Sequence, residues 1–185
     1  MAKKINEKKI ALPAGITAEV SGLVVKIKKG GTEAVKKFRA RSVKIVMDGQ
    51  AIIVRAADAK KKNASTTNTI AAHIRNMVHG LEHGFEYKLE VVYSHFPMTV
   101  TLKGSHLEIS NVTGAKEPRK AAIVGQTKVE IKGKDITVRG FDKEAAGQTA
   151  ANLEGATRVK GKDVRIFQDG IYIVQKPKTL IVKGK

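Results

Sequence analysis

Ser42-Val43-Lys44-Ile45-Val46-Met47-Asp48-Gly49 and, 84 positions on, Gln126-Thr127-Lys128-Val129-Glu130-Ile131-Lys132-Gly133 are two versions of one segment. Each alternates apolar and polar residues, as a half-buried strand does. Each ends at a glycine, which accepts the positive φ of a tight hairpin turn: Asp48-Gly49 in the first, Gly133-Lys134 in the second. The likeness extends outward. Downstream, Ile53-Val54-Arg55 is answered by Thr137-Val138-Arg139 and Asp58 by Asp142, again 84 positions on. Upstream, the run from Val20 to Ile27 is answered by that from Leu102 to Ile109. Ala71-Ala72-His73-Ile74 is answered by Ala150-Ala151-Asn152-Leu153 only 79 positions on, so an insertion is expected in the first copy around Ala59-Lys60-Lys61-Lys62-Asn63. Two β-rich segments can agree by chance, but hairpin, aspartate and helix in the same order indicate a duplication.

A helix follows the hairpin in each copy. Ile70, Ile74, Val78 and Leu81 form one apolar stripe; Ala146, Thr149, Ala150 and Leu153 form the other, with Asp142 placed to cap its start. Closing strands are expected at Phe85, Tyr87, Leu89 and Val91, and at Val164-Arg165-Ile166-Phe167. The predicted fold is α+β: two tandem duplicated domains, each a mainly antiparallel sheet with one packed helix. The join is expected near Ser94-His95-Phe96-Pro97, giving domains at 1–96 and 97–176 and a basic extension at 177–185.

The net charge is +18 in 185 residues, and both halves share it. Residues 1–97 hold 18 Lys and Arg against 8 Asp and Glu; residues 98–185 hold 17 against 9. Charge of that size repels itself, and a dense polyanion compensates it. Aromatics are few (five Phe, three Tyr, no Trp), which argues against stacking on single-stranded bases and for structured RNA or duplex. The 42% hydrophobic content suffices for a core, and no cysteine is present for disulfides or thiolate metal sites. The basic start is followed by Ile10-Ala11-Leu12-Pro13, too short and broken for a signal segment, and no apolar run approaches a membrane span. A soluble cytoplasmic protein without membrane attachment is expected.

Catalytic patterns are weak. His79-Gly80-Leu81-Glu82-His83 fits a zinc-hydrolase spacing, but Gly80 weakens the helix, Gly84 stops it, and no third ligand is evident. Arg139-Gly140-Phe141 begins like an RNA-recognition signature and fails at Asp142-Lys143-Glu144. Gly30-Gly31-Thr32 is a loop pair with no phosphate-loop context. No enzyme, metal or cofactor is expected.

The cationic clusters remain. They are Lys116, Arg119 and Lys120 in a proline-bent loop; Arg158, Lys160, Lys162 and Arg165 after the second helix; and an ending that carries Lys176, Lys178, Lys183 and Lys185. Lys60-Lys61-Lys62 is a weaker fourth. None has the side-chain order of a base-reading helix, so recognition by phosphate position and shape is expected.

Gly140-Phe141-Asp142-Lys143-Glu144, Gly147-Gln148-Thr149-Ala150-Ala151-Asn152 and the run Arg165-Ile166-Phe167-Gln168-Asp169-Gly170-Ile171-Tyr172-Ile173 with Lys176 resemble the universal large-subunit ribosomal protein six family, in its archaeal and eukaryotic form. Lys116-Glu117-Pro118-Arg119-Lys120 and Tyr93-Ser94-His95-Phe96-Pro97 sit where that family has them. The resemblance implies two duplicated domains and no enzymatic activity. It implies binding of large-subunit ribosomal RNA, chiefly by the second domain and C-terminal segment, near the sarcin–ricin loop and stalk base. Neighbouring ribosomal proteins, and translational GTPases close by, are the other partners it implies. It assigns RNA contact to the cations of the three clusters, and reads Asp169-Gly170 as a turn. The rival readings are a free RNA-binding protein or chaperone outside the ribosome and, from the histidine motif, a zinc hydrolase.

Overall fold

Both duplicated hairpins form where the alternation predicts them. The structure is a computed structural model that describes residues 6–163 and 165–177. The chain divides between His83 and Gly84 into two compact units. The first contains β1 (Glu7–Ala11), β2 (Thr17–Ser21), β3 (Val24–Lys29), β4 (Thr32–Lys37), β5 (Val43–Asp48), β6 (Ala51–Ala56) and α1 (Lys61–His83). The second contains β7 (Phe85–Val92), β8 (Thr99–Lys103), β9 (His106–Ser110), a 3-10 turn (Val112–Gly114), β10 (Arg119–Ala122), β11 (Lys128–Lys132), β12 (Asp135–Gly140), α2 (Lys143–Thr157) and β13 (Gly170–Gln175).

All strand pairings are antiparallel. Each unit splits its strands into two small sheets rather than the single sheet expected. The first unit has β1-β6-β5 and β2-β3-β4; the second has β11-β12-β7-β13 and β10-β9-β8. The duplication extends to the cores. Ile10, Val25, Ile27, Ile52 and Val54 of the first unit match Leu89, Leu107, Ile109, Ile136 and Val138 of the second, and all ten are buried. At the constant offset of 79, Thr67, Ile70, Ala71, Ile74 and Val78 of α1 match Ala146, Thr149, Ala150, Leu153 and Thr157 of α2, and again all are buried. The aspartates match in role as well as place. Asp58 accepts from the Lys60 amide at 3.0 Å, and Asp142 from the Glu144 amide at 2.9 Å, each just ahead of its helix.

Four expectations need correction. The strand at Phe85–Val92 does not close the first copy: it pairs with β12 on one side and β13 on the other, inside the second unit's sheet. It is the second copy's opening strand, the counterpart of β1, which pairs with β6. Hence the division falls at 83/84, not at 96/97. The second copy's closing strand is Gly170–Gln175, while Arg165 and Ile166 lie in a turn and Val164 lies outside the described residues. Asp163 explains that turn, because its carbonyl accepts from the Ile166 and Phe167 amides at 3.1 and 2.9 Å. Arg119 and Lys120 stand in β10, not in the loop predicted for them.

Candidate nucleic-acid interface

The last turn of a helix leaves carbonyls without intrahelical partners. At the end of α2 two of them are met from a different element. Arg119, on β10, donates from Nη1 to the carbonyls of Ala156 and Arg158 at 2.9 and 3.0 Å. The guanidinium also meets the negative end of the helix dipole. This tie brings the 116–120 and 158–165 segments together, so two clusters far apart in sequence become one cationic surface. Lys116, Arg158, Lys160, Lys162 and Arg165 are exposed on these segments and Arg119 is half-buried, whereas Lys120, the next residue of β10, is exposed on the opposite face of the strand, beside Glu108.

The loop that carries Lys160, Lys162 and Arg165 is held at both ends. At its start, Thr157 is buried and its Oγ1 accepts from the Ile171 amide at 2.9 Å, which joins α2 to β13. Glu154 Oε1 accepts from the Ile173 amide at 3.3 Å. Inside the loop, Lys162 Nζ stands 4.6 Å from the Phe167 ring centre, a cation–π contact, and that ring meets His95 at 5.2 Å. Arg165 is nearly free in solvent, with Nε 3.7 Å from Asp163 Oδ1.

At the loop's far end stands Asp169, whose side chain is fully buried. Its Oδ1 accepts from the Ser94 amide at 2.7 Å, the Ser94 hydroxyl at 3.3 Å and the His95 amide at 3.4 Å. Its Oδ2 has no hydrogen-bond donor and lies 3.6 Å from His95 Nδ1. Burial pushes the Asp169 pKa up, but the bonds from Ser94 and His95 outweigh it and hold the carboxyl below its ordinary value. The aspartate is therefore a charged anchor between the turn after β7 and the approach to β13.

Lys176 is exposed beyond the end of β13. Lys178, Lys183 and Lys185 lie outside the described residues. The sequence reading missed Thr157 as a tie. Its signal was a threonine where the first copy's stripe has Val78. The histidine motif occupies the last turn of α1, with the His79 and His83 ring centres 4.9 Å apart and Glu82 Oε2 3.7 Å from His83 Nδ1. No three His, Cys, Asp or Glu side chains converge to hold a metal among the described residues, and no helix among them is long and apolar enough to cross a membrane.

The model of the family described as Ribosomal protein L6 matches residues 96–170. The large ribosomal subunit protein uL6 of Methanothrix thermoacetophila is 44% identical over 169 residues, covering 91% of this chain and 96% of that protein. The chain belongs to the ribosomal protein L6 family. Other L6 relatives agree. The uL6 protein of Methanosphaera stadtmanae is 45% identical over 90% of this chain and 91% of its own length. That of Archaeoglobus fulgidus is 50% identical over 80% of this chain and 75% of its own. The matched L6 segment runs from Phe96 to Gly170, and so takes in both cationic segments, the Arg119 tie and Asp169.

Proposed function

We propose that this chain is a structural component of the large ribosomal subunit that binds and positions folded ribosomal RNA through its second unit. Membership of the L6 family carries a ribosomal, non-enzymatic role. The observation that supports the contact surface is the Arg119 tie, which turns two cationic segments into one. The contacts are Lys116, Lys120, Arg158, Lys160, Lys162, Arg165 and Lys176, with Lys178, Lys183 and Lys185 beyond. Arg119 holds the surface together. The surface works by phosphate neutralisation and counterion release, with shape setting the site. A loop already fixed by Thr157, Phe167 and Asp169 loses little conformational entropy on binding. Its place is near the sarcin–ricin loop and stalk base, beside other ribosomal proteins and within reach of translational GTPases.

The test is binding to a folded fragment from the 3′ part of large-subunit ribosomal RNA, against a scrambled fragment of equal length, across a salt series. A preference for the folded RNA that persists at physiological salt is expected. Replacing Lys160, Lys162 and Arg165 together by Ala should flatten the dependence of log K on log salt by roughly three. Equal binding of both RNAs that vanishes with salt would replace this reading by the chaperone one.

A further inference from the structure

The densest run of cations with no acid among them is in the other unit. Residues 34–47 hold Lys36, Lys37, Arg39, Arg41 and Lys44 and no carboxylate. Across the end of β4 and the connection to β5 the exposure alternates. Lys37, Arg39 and Arg41 are exposed, Phe38 between them is buried, and Ala40 packs against the core. The segment is pinned on both sides of the cations. The Phe38 amide donates to the Leu23 carbonyl at 2.9 Å, and the Ser42 carbonyl accepts from the Ala57 amide at 2.9 Å. Phe38 also meets the His73 ring of α1 at 6.1 Å, and Lys36 Nζ lies 3.1 Å from His73 Nδ1. These contacts make an anchored ridge.

The acids of this unit are engaged elsewhere. Glu7 pairs with Arg55 at 2.8 Å, Asp48 with Lys9 at 2.9 Å and Asp58 with Lys60 at 3.6 Å. Glu19 and Glu33 share Lys28 at 3.7 and 3.8 Å, and Glu82 lies 3.7 Å from His83. Those six are all the carboxylates before Gly84, and none meets the ridge. The side chains of Lys37, Arg39 and Arg41 make no hydrogen bond or ion pair with any described residue. Nor is the ridge inherited from the duplication. The matching connection between β10 and β11 is Ile123-Val124-Gly125-Gln126-Thr127, which carries no charge.

We infer that Lys37, Arg39 and Arg41 form a second phosphate-binding ridge, on the first unit, that holds RNA backbone separately from the second unit's surface. Two arginines supply forked donors suited to phosphate oxygens, and the lysine adds a point charge. The one aromatic ring of the run, Phe38, is buried, so no exposed ring is offered for bases to stack on and the ridge holds backbone phosphate. Two such surfaces on one chain bind one RNA in tandem, which raises affinity through effective concentration.

Hydroxyl-radical footprinting of the full-length chain on deproteinised, refolded large-subunit RNA tests this. The unaltered chain should protect two separate groups of riboses. Lys37→Ala/Arg39→Ala/Arg41→Ala should abolish one group, keep the other, weaken overall binding by tenfold or more, and leave the melting temperature unchanged. Lys160→Ala/Lys162→Ala/Arg165→Ala should abolish the complementary group. If the first variant keeps every protection and the unaltered affinity, the ridge does not bind RNA and an acidic protein becomes its partner. If only the second variant is without effect, the reading of the second unit fails and the ridge stands.

Discussion

Asp169 and Arg119 show how single side chains set the candidate surface. Asp169→Ala leaves the Ser94 and His95 amides without their acceptor and should cost about 2–3 kcal/mol of stability. Asp169→Asn keeps an acceptor oxygen and should lose less. The folded pKa of Asp169 is depressed, so its ionised form stabilises the native state at neutral pH. That contribution is complete above the ordinary carboxylate value and disappears as pH falls through the folded one. The stability gap between the unaltered chain and Asp169→Asn should therefore narrow as pH falls below the ordinary carboxylate value, as denaturant titrations across the acid range would register. Arg119→Ala should cost about 1–2 kcal/mol and speed amide exchange in the last turn of α2, since two carbonyls lose their donor. The sequence marked Arg119 as cationic and Asp169 as a turn residue. It could not show their structural roles, because their partners lie 37 and 39 residues away for Arg119 and 74 and 75 away for Asp169.

At the scale of elements, α2 carries an apparent defect with a packing reason. Gly147 sits inside the helix, where glycine is worth roughly 1 kcal/mol less than alanine. A methyl group there would stand 2.8 Å from the Tyr87 hydroxyl and 3.3 Å from its ring carbon, so the glycine lets α2 lie close on β7. Gly147→Ala should destabilise by about 1–2 kcal/mol despite its better helix propensity, and Tyr87→Phe should restore part of the loss in the double variant. Thermal melts of the three variants would measure it. The elements legible in the sequence were those fixed by local pattern: the hairpins at Asp48-Gly49 and Gly133-Lys134, both helices, and the cap at Asp142. The strands misassigned were β7 and β13. Periodicity identifies a strand but not its neighbours, and β7 reads equally well as the end of one copy or the start of the next. Only its register against β12 and β13 decides the matter. The Arg165-Ile166-Phe167 run has strand-forming side chains, yet Asp163 draws its backbone into a turn.

For the whole molecule, the +18 charge is unevenly compensated. Five carboxylates of the first unit pair with lysine or arginine, while Lys37, Arg39 and Arg41 meet none of them and Lys116, Arg158 and Lys160 stand exposed on the second unit. RNA should therefore raise the melting temperature of the chain, and the rise should shrink steeply with salt, which a fluorescence melt across a salt series would read. Removing both cation triplets should leave a folded protein with little such shift. The duplication itself is unequal. In the first unit every described strand is present by Ala56 and the helix by His83. In the second, β7 is laid down first and takes a central place, yet its partner β13 ends only at Gln175. A chain emerging from its own translating ribosome can thus complete its first unit while β7 still waits, one edge open, for a strand not yet made.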